Sequence, residues 1–275
     1  MNVMRSLALG LPFALVLFSS PTLQQAEAQT QARAEAQRAA APVCFAPKDL
    51  LQLGLPLPHV NERLSSGGAL KIIAIGSSST AGAGASSPAM SYPSRLQVAL
   101  REKFPAATIS VLNRGVNGEE AVDMMKRFDA DVLAEHPDLV LWQVGTNAVL
   151  RDHAAIGVAP LIKEGLARLK QAGADVVLID PQFAPKVLAK PDVDAMVRLV
   201  GVEAKFGGVG LFQRFAIMRH WREEERIPFA TLLSPDELHM NDWSYGCVAK
   251  LLAQAIGNAV HPATVARVPK SMVGR

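Results

Sequence analysis

The chain has 275 residues, 49% of them apolar and 19% charged, the balance of an ordinary globule with enough apolar material for a sizeable core. A formal charge of +3 carried by scattered basic residues excludes the electrostatic footprint of a nucleic-acid binder. No segment beyond the N-terminus reaches the roughly 18 uninterrupted apolar residues of a membrane span, so the mature chain is expected to be soluble, without stable membrane insertion.

Residues 1–28 read as an export signal. Arg5 lies in a short positive region, Leu7 to Phe18 form an apolar stretch too short to cross a bilayer, and Ala26-Glu27-Ala28 is a small-residue site that predicts cleavage after Ala28. A periplasmic or secreted protein follows. Residues 29–42, rich in Ala, Gln and Arg, predict a flexible linker, and residues 43–68, rich in Leu and Pro, predict an arm on the main body. Cys44 and Cys247 are the two cysteines. In an oxidising compartment such a pair invites one disulfide that would staple the arm to the last helix, with two separate thiols as the alternative.

From residue 69 to residue 260 apolar runs of strand length alternate with stretches of helical period, and residues 261–275 form a tail. The strands are KIIAIG, TISVLN, LVLWQVG, DVVLID and a short GVGLF. The helices run from Tyr92 to Phe104, Glu119 to Ala134, Ile156 to Gln171, Val193 to Lys205 and Asp242 to Ala259. Nearly continuous apolar strands require a parallel sheet covered on both faces, so the pattern predicts one three-layer α/β domain. Ligands of such sheets bind beyond the carboxyl ends of the strands. The loops there are GSSSTAGAGAS, NRGVNGEE, GTNAVLRD and PQFAP, with SPDELHMND before the last helix.

A serine becomes a nucleophile when a base takes its proton and a third group orients that base. Ser78 leaves the first strand where a tight turn would expose its Oγ. Asp236 and His239, three positions apart in a loop before a helix, can meet side by side; the plainer reading of such a pair is a helix cap with a surface histidine. The site also needs donors for a developing oxyanion. Gly115 can offer a backbone N–H at close approach and Asn147 a side-chain amide; taken singly they read as a turn glycine and an N-cap.

Four blocks in order, Gly76-Ser77-Ser78-Ser79-Thr80, Asn113-x-Gly115-x-x-Gly118, Gly145-Thr146-Asn147 and Asp236-x-x-His239, resemble those of the SGNH (GDSL-type) hydrolase family, over about Leu70 to Ala259. The resemblance implies an α/β/α sandwich with a central parallel sheet, a flavodoxin-like SGNH hydrolase fold. It implies Ser78 as nucleophile, His239 as base, Asp236 as acid, and Ser78 N–H, Gly115 and Asn147 as the oxyanion hole. It departs from the family at Ser77 and Ala148, where acids are usual, which bears on the shape of the site more than on the reacting groups. An exported esterase of short acyl, acetyl-type esters is expected, acting on a small acyl ester or an acylated saccharide or lipid. An O-acyltransferase or deacetylase acting on polysaccharide with the same triad is the alternative.

Gln182 and Phe183 after the fourth strand are candidate substrate-binding residues, as is Trp243, which with Tyr245 would wall the pocket or anchor the last helix. Arg114 and Arg151 near the mouth could meet an acidic substrate. Trp142 is assigned to the core. His59, His136, His153, His220 and His261 lie apart from any metal-ligand spacing, so no metal and no cofactor are expected. In a different class, a flavodoxin-like module would use the Ser-rich loop to cradle a phosphate or flavin, but no Lys completes such a loop and that reading gives Asp236 and His239 no task.

Overall fold

The computed structural model describes residue 25 and residues 42–260. Apart from residue 25, the expected export signal with its cleavage site, the expected linker up to residue 41 and the expected tail with His261 lie outside the described residues. The elements run α1 (Pro58–Ser66), β1 (Ala69–Gly76), α2 (Ser78–Ala81), α3 (Tyr92–Lys103), β2 (Thr108–Gly115), α4 (Ala121–Lys126), α5 (Phe128–Asp131), β3 (Leu139–Gln143), α6 (Thr146–Leu150), α7 (Ala155–Gln171), β4 (Asp175–Ile179), α8 (Pro185–Leu188), α9 (Val193–Gly207), β5 (Gly210–Phe212), α10 (Arg214–Glu223), α11 (Phe229–Leu232) and α12 (Asp242–Val260).

The five strands form one sheet in the order β2-β1-β3-β4-β5, every pair parallel. β3 and β4 are buried at every residue, because helices cover both faces and leave no position for alternation with solvent. On one face α3 and α12 pack together, and on the other α7 packs with α4 and α9. Trp142 of β3 is fully buried, as expected, with its ring 5.3 Å from that of Phe128. A Cβ at Gly165 would come within 2.4 Å of the Trp142 ring, so glycine is what allows α7 to lie on it. The chain runs from β1 outward to β2 and then returns to β3 on the other side of β1, so the strand order reverses between β1 and β3. The loops leaving these two strands border the crevice where such folds hold ligands.

Several elements differ from expectation, the short helix α6 within the expected loop GTNAVLRD among them. The helix predicted from Glu119 to Ala134 breaks at Arg127, whose guanidinium turns back to Glu119 Oε2 (2.6 Å) and Arg114 O (2.8 Å). The last strand shortens to Gly210–Phe212. An unpredicted helix, α10, follows it and buries Phe215, Ile217, Met218 and Trp221. The arm is anchored: Cys44 and Cys247 are disulfide-bonded, Trp221 Nε1 donates to Phe45 O at 2.7 Å, and Leu211 of the edge strand donates to Leu53 O at 2.9 Å. Ala46, Leu51, Leu53 and Leu57 of the arm join the core. Among the described residues no helix is long and apolar enough to cross a membrane.

Candidate active site

β1 ends against a polar side chain buried in the sheet. Gln143 Oε1 accepts from Ser77 N (2.8 Å), Ser77 Oγ (3.0 Å) and Thr80 Oγ1 (3.3 Å). A Cβ on Gly76 would lie 2.2 Å from Thr80 Oγ1 and 2.8 Å from Gln143 Oε1, so this turn requires glycine. Ser77 is extended (φ −94°) and Ser78 opens α2, so the backbone changes from strand to helix at Ser78. The turn leaves Ser78 partly exposed between two buried serines.

The loop before α12 closes on itself through Ser234 N to His239 O (2.8 Å) and a bridge between Leu233 and Met240. Asn241 then caps α12, its Oδ1 accepting from Ser244 N at 3.1 Å. Within this loop His239 Nδ1 lies 2.5 Å from Asp236 Oδ2, and His239 Nε2 lies 2.9 Å from Ser78 Oγ. Asp236 Oδ1 accepts from Ser234 Oγ (2.7 Å), Leu238 N (3.0 Å) and His239 N (2.9 Å). Partial burial works to raise the Asp236 pKa, but the hydrogen bonds from the His239 ring and amide, Ser234 and Leu238 outweigh it and hold the carboxyl well below the usual carboxylate range. The segment after the serine packs on the histidine: a Cβ at Gly84 would meet Met240 O at 2.5 Å and His239 Cβ at 2.9 Å. Ser86 donates to Asp242 through its amide (2.8 Å) and its hydroxyl (2.6 Å).

On the opposite side of Ser78, Gly115 does not present a free amide. Its N–H donates to Asn113 Oδ1 at 2.9 Å, and its missing Cβ makes room for α2, since a Cβ there would sit 2.1 Å from Ala81 N. Gly115 is a packing glycine. Three residues on, Gly118 turns at φ +79°, its carbonyl accepts from Arg151 Nη2 at 2.8 Å, and its amide donates to no protein atom among the described residues. The next carbonyl, Glu119 O, accepts from Asn147 Nδ2 at 2.8 Å, which binds this turn to the Asn147 side chain. One N–H of the Asn147 amide is thereby engaged and the second is left over.

The other sequence candidates lie elsewhere. Gln182 is 1% exposed, and its Oε1 accepts from Thr146 Oγ1 (3.0 Å) and Arg214 Nη2 (3.1 Å), so it is an interior connector rather than a pocket wall. Phe183 is buried against Phe215 and Phe229. Trp243 packs edge-on against Trp221 at 5.2 Å and shares a cavity with the disulfide, so it anchors α12. Tyr245 is buried and donates to Ala83 O at 2.7 Å. Arg114 is paired with Glu135 (2.8 Å) and Arg151 with Glu120 (2.6 Å), so neither is an unpaired cation awaiting an acidic substrate. Among the described residues no group of three or more His, Cys, Asp or Glu could hold a metal ion.

Two residues beneath the site escape sequence reading. Gln143 interrupts an apolar strand, a signal in itself because a buried amide demands partners. Arg214, at the start of a charged helix, gives no such signal, yet it is fully buried.

Residues 43–262 match the sequence model of a family described as Non-GDSL lipase-like. In this chain Ser77 stands where the GDSL block has Asp. Comparison with curated proteins gives no match. Among solved structures, a two-domain esterase (CEX) active on acetylated mannans, co-crystallised with mannopentaose, is 22% identical with a TM-score of 0.64, covering 74% of this chain and 53% of that chain. Axe2, an acetylxylan esterase from Geobacillus stearothermophilus, is 20% identical with a TM-score of 0.59, covering 68% of this chain and 94% of that chain. The chain thus spans about half the length of the two-domain esterase. At these identities the likeness is one of fold.

Proposed function

Because this chain belongs to the Non-GDSL lipase-like family, we propose that it is a carboxylic ester hydrolase that cleaves short acyl, acetyl-type esters through a Ser78-His239-Asp236 triad of SGNH type. The observation that carries the reading is the unbroken line Ser78 Oγ, His239 Nε2, His239 Nδ1 and Asp236 Oδ2, with spacings of 2.9 Å and 2.5 Å. The ionised Asp236 keeps the proton on Nδ1 and leaves Nε2 basic toward the serine. As Ser78 Oγ attacks the ester carbonyl carbon, His239 takes its proton. The tetrahedral oxyanion is met by Ser78 N–H, Gly118 N–H and the second N–H of Asn147, with Gly118 replacing Gly115 because its amide is the uncommitted one. His239 then protonates the departing alcohol, the acyl group stays on Ser78, and water activated by His239 releases it.

An acylated saccharide is the substrate class this reading favours, since structural neighbours are active on acetylated mannans and acetylated xylan. An O-acyltransferase would use the same acyl-enzyme with a sugar hydroxyl as acceptor. Export belongs to the same reading, because a disulfide fits an oxidising compartment. The flavodoxin-like alternative loses ground in the loop itself, whose hydroxyls bind protein partners: Ser77 and Thr80 to Gln143, Ser78 to His239 and Ser79 to Arg214. The test is a series of p-nitrophenyl esters from acetate to decanoate, with and without acetylated oligosaccharide as competitor. A kcat/KM that falls steeply beyond butyrate, and competition by the saccharide, are expected; a maximum at decanoate would refute the short-acyl assignment.

A further inference from the structure

A single buried side chain ties together the three loops of the site. Arg214 is 0% exposed, and each end of its guanidinium is committed: Nε donates to Asp180 O (3.0 Å), Nη1 to Ser79 Oγ (2.8 Å) and Nη2 to Gln182 Oε1 (3.1 Å). Gln182 passes the connection on, accepting from Thr146 Oγ1 at 3.0 Å and donating through Nε2 to Leu238 O at 3.5 Å. Ser79, Thr146 and Leu238 are the chain neighbours of Ser78, Asn147 and His239 respectively. The network therefore reaches the residue beside the nucleophile, the residue beside the oxyanion amide and the residue beside the base, without touching any reacting group.

The cost of placing it there is high. A buried guanidinium gives up its hydration and is tolerated only when its donors are satisfied. Asp180 accepts through Oδ1 from the Phe215 amide at 2.8 Å, while Arg214 reaches the backbone carbonyl of Asp180 instead of its carboxylate. An apolar side chain would fill the same volume without that desolvation. A planar fork with fixed directions supplies something an apolar side chain does not, namely a shared register for three loops.

We infer that Arg214 is the positioning residue of the active site, setting the mutual geometry of Ser78, Asn147 and His239 through Ser79 and through Gln182. The inference rests on the proposed triad. Misplacement of reacting groups by about 1 Å costs roughly 100-fold in rate, so the loss should fall on kcat and leave KM largely unchanged, because no network atom touches substrate. Arg214→Met, which keeps the length and removes the fork, is assayed with p-nitrophenyl acetate, per active site titrated by burst. A fall of at least about 30-fold in kcat with KM within about threefold, and little further loss when Ser79→Ala is added, is expected. A kcat within about threefold of wild type overturns the inference, even if the variant melts at a lower temperature. Should Arg214→Met fail to fold, Ser79→Ala and Thr146→Val decide: a drop of about tenfold in kcat for each supports the inference, and wild-type kcat for both overturns it. Failure of the underlying reading looks different, as wild-type protein would then not acylate at Ser78 and the inference would fall with it.

Discussion

Replacing Cys44 and Cys247 together by Ser should lower stability far more than activity. The bridge joins positions 203 residues apart, almost the whole of the folded unit, so it removes conformational freedom mainly from the unfolded chain. A loop of that length corresponds to at most about 5 kcal/mol in the chain-entropy treatment, and native bridges in practice give about 2 to 4 kcal/mol. On the native side little else depends on the bridge. The arm keeps the hydrogen bond from Trp221 to Phe45 O, and Ala46, Leu51, Leu53 and Leu57 stay in the core. Urea unfolding of the double variant should therefore show a loss of about 2 to 5 kcal/mol, with kcat on p-nitrophenyl acetate within about twofold of wild type at 25 °C. A loss below about 0.5 kcal/mol would refute the reasoning, and so would an inactive but folded variant.

Two other outcomes follow from the site. Asn147→Ala should lower kcat about 100- to 1000-fold with little change in KM, the usual loss for one oxyanion donor, as steady-state kinetics would measure. Asp180 is buried, and burial pushes its carboxyl up to about 7 against the opposing Phe215 hydrogen bond and Arg214 charge. A carboxyl with a folded pKa above its unfolded value of about 3.9 binds more protons when folded, so stability falls as pH rises from about 4 to about 7, by at most about 4 kcal/mol. Asp180→Asn should flatten that decline, measured as the difference in unfolding free energy between wild type and variant at pH 4.5 and pH 7.5. Equal slopes would remove Asp180 as the cause.

Where burial is nearly complete the sequence was easy to read. β3 and β4 appear as unbroken apolar runs because they are covered on both faces, and that pattern alone assigns their loops to the crevice. The order of the blocks points to Ser78, Asp236 and His239 together, information that each residue alone lacks, and the fold brings the three side chains into one hydrogen-bonded line. Legibility ended where a role depends on the partner of a particular atom. Gly115 and Gly118 share one block, and only the bond from Gly115 N to Asn113 Oδ1 separates packing glycine from free amide. Gln182 and Phe183 follow β4 as a pocket lining would, yet the turn there sends both side chains inward. Helix α10 places Phe215, Ile217, Met218 and Trp221 on one face, but Arg, His and Glu fill the rest of it, so the segment as a whole is polar and stands out little as core-forming. Its first residue, the buried Arg214, looks from sequence like any exposed arginine.

The central claim is that Ser78 is the nucleophile, activated by His239 across 2.9 Å. Incubation with a fluorophosphonate followed by peptide mass spectrometry tests it most directly. One adduct on Ser78 is predicted, absent in Ser78→Ala and formed orders of magnitude more slowly in His239→Ala. An adduct on Ser77, Ser79 or any other residue, or undiminished ester turnover by folded Ser78→Ala, would contradict it.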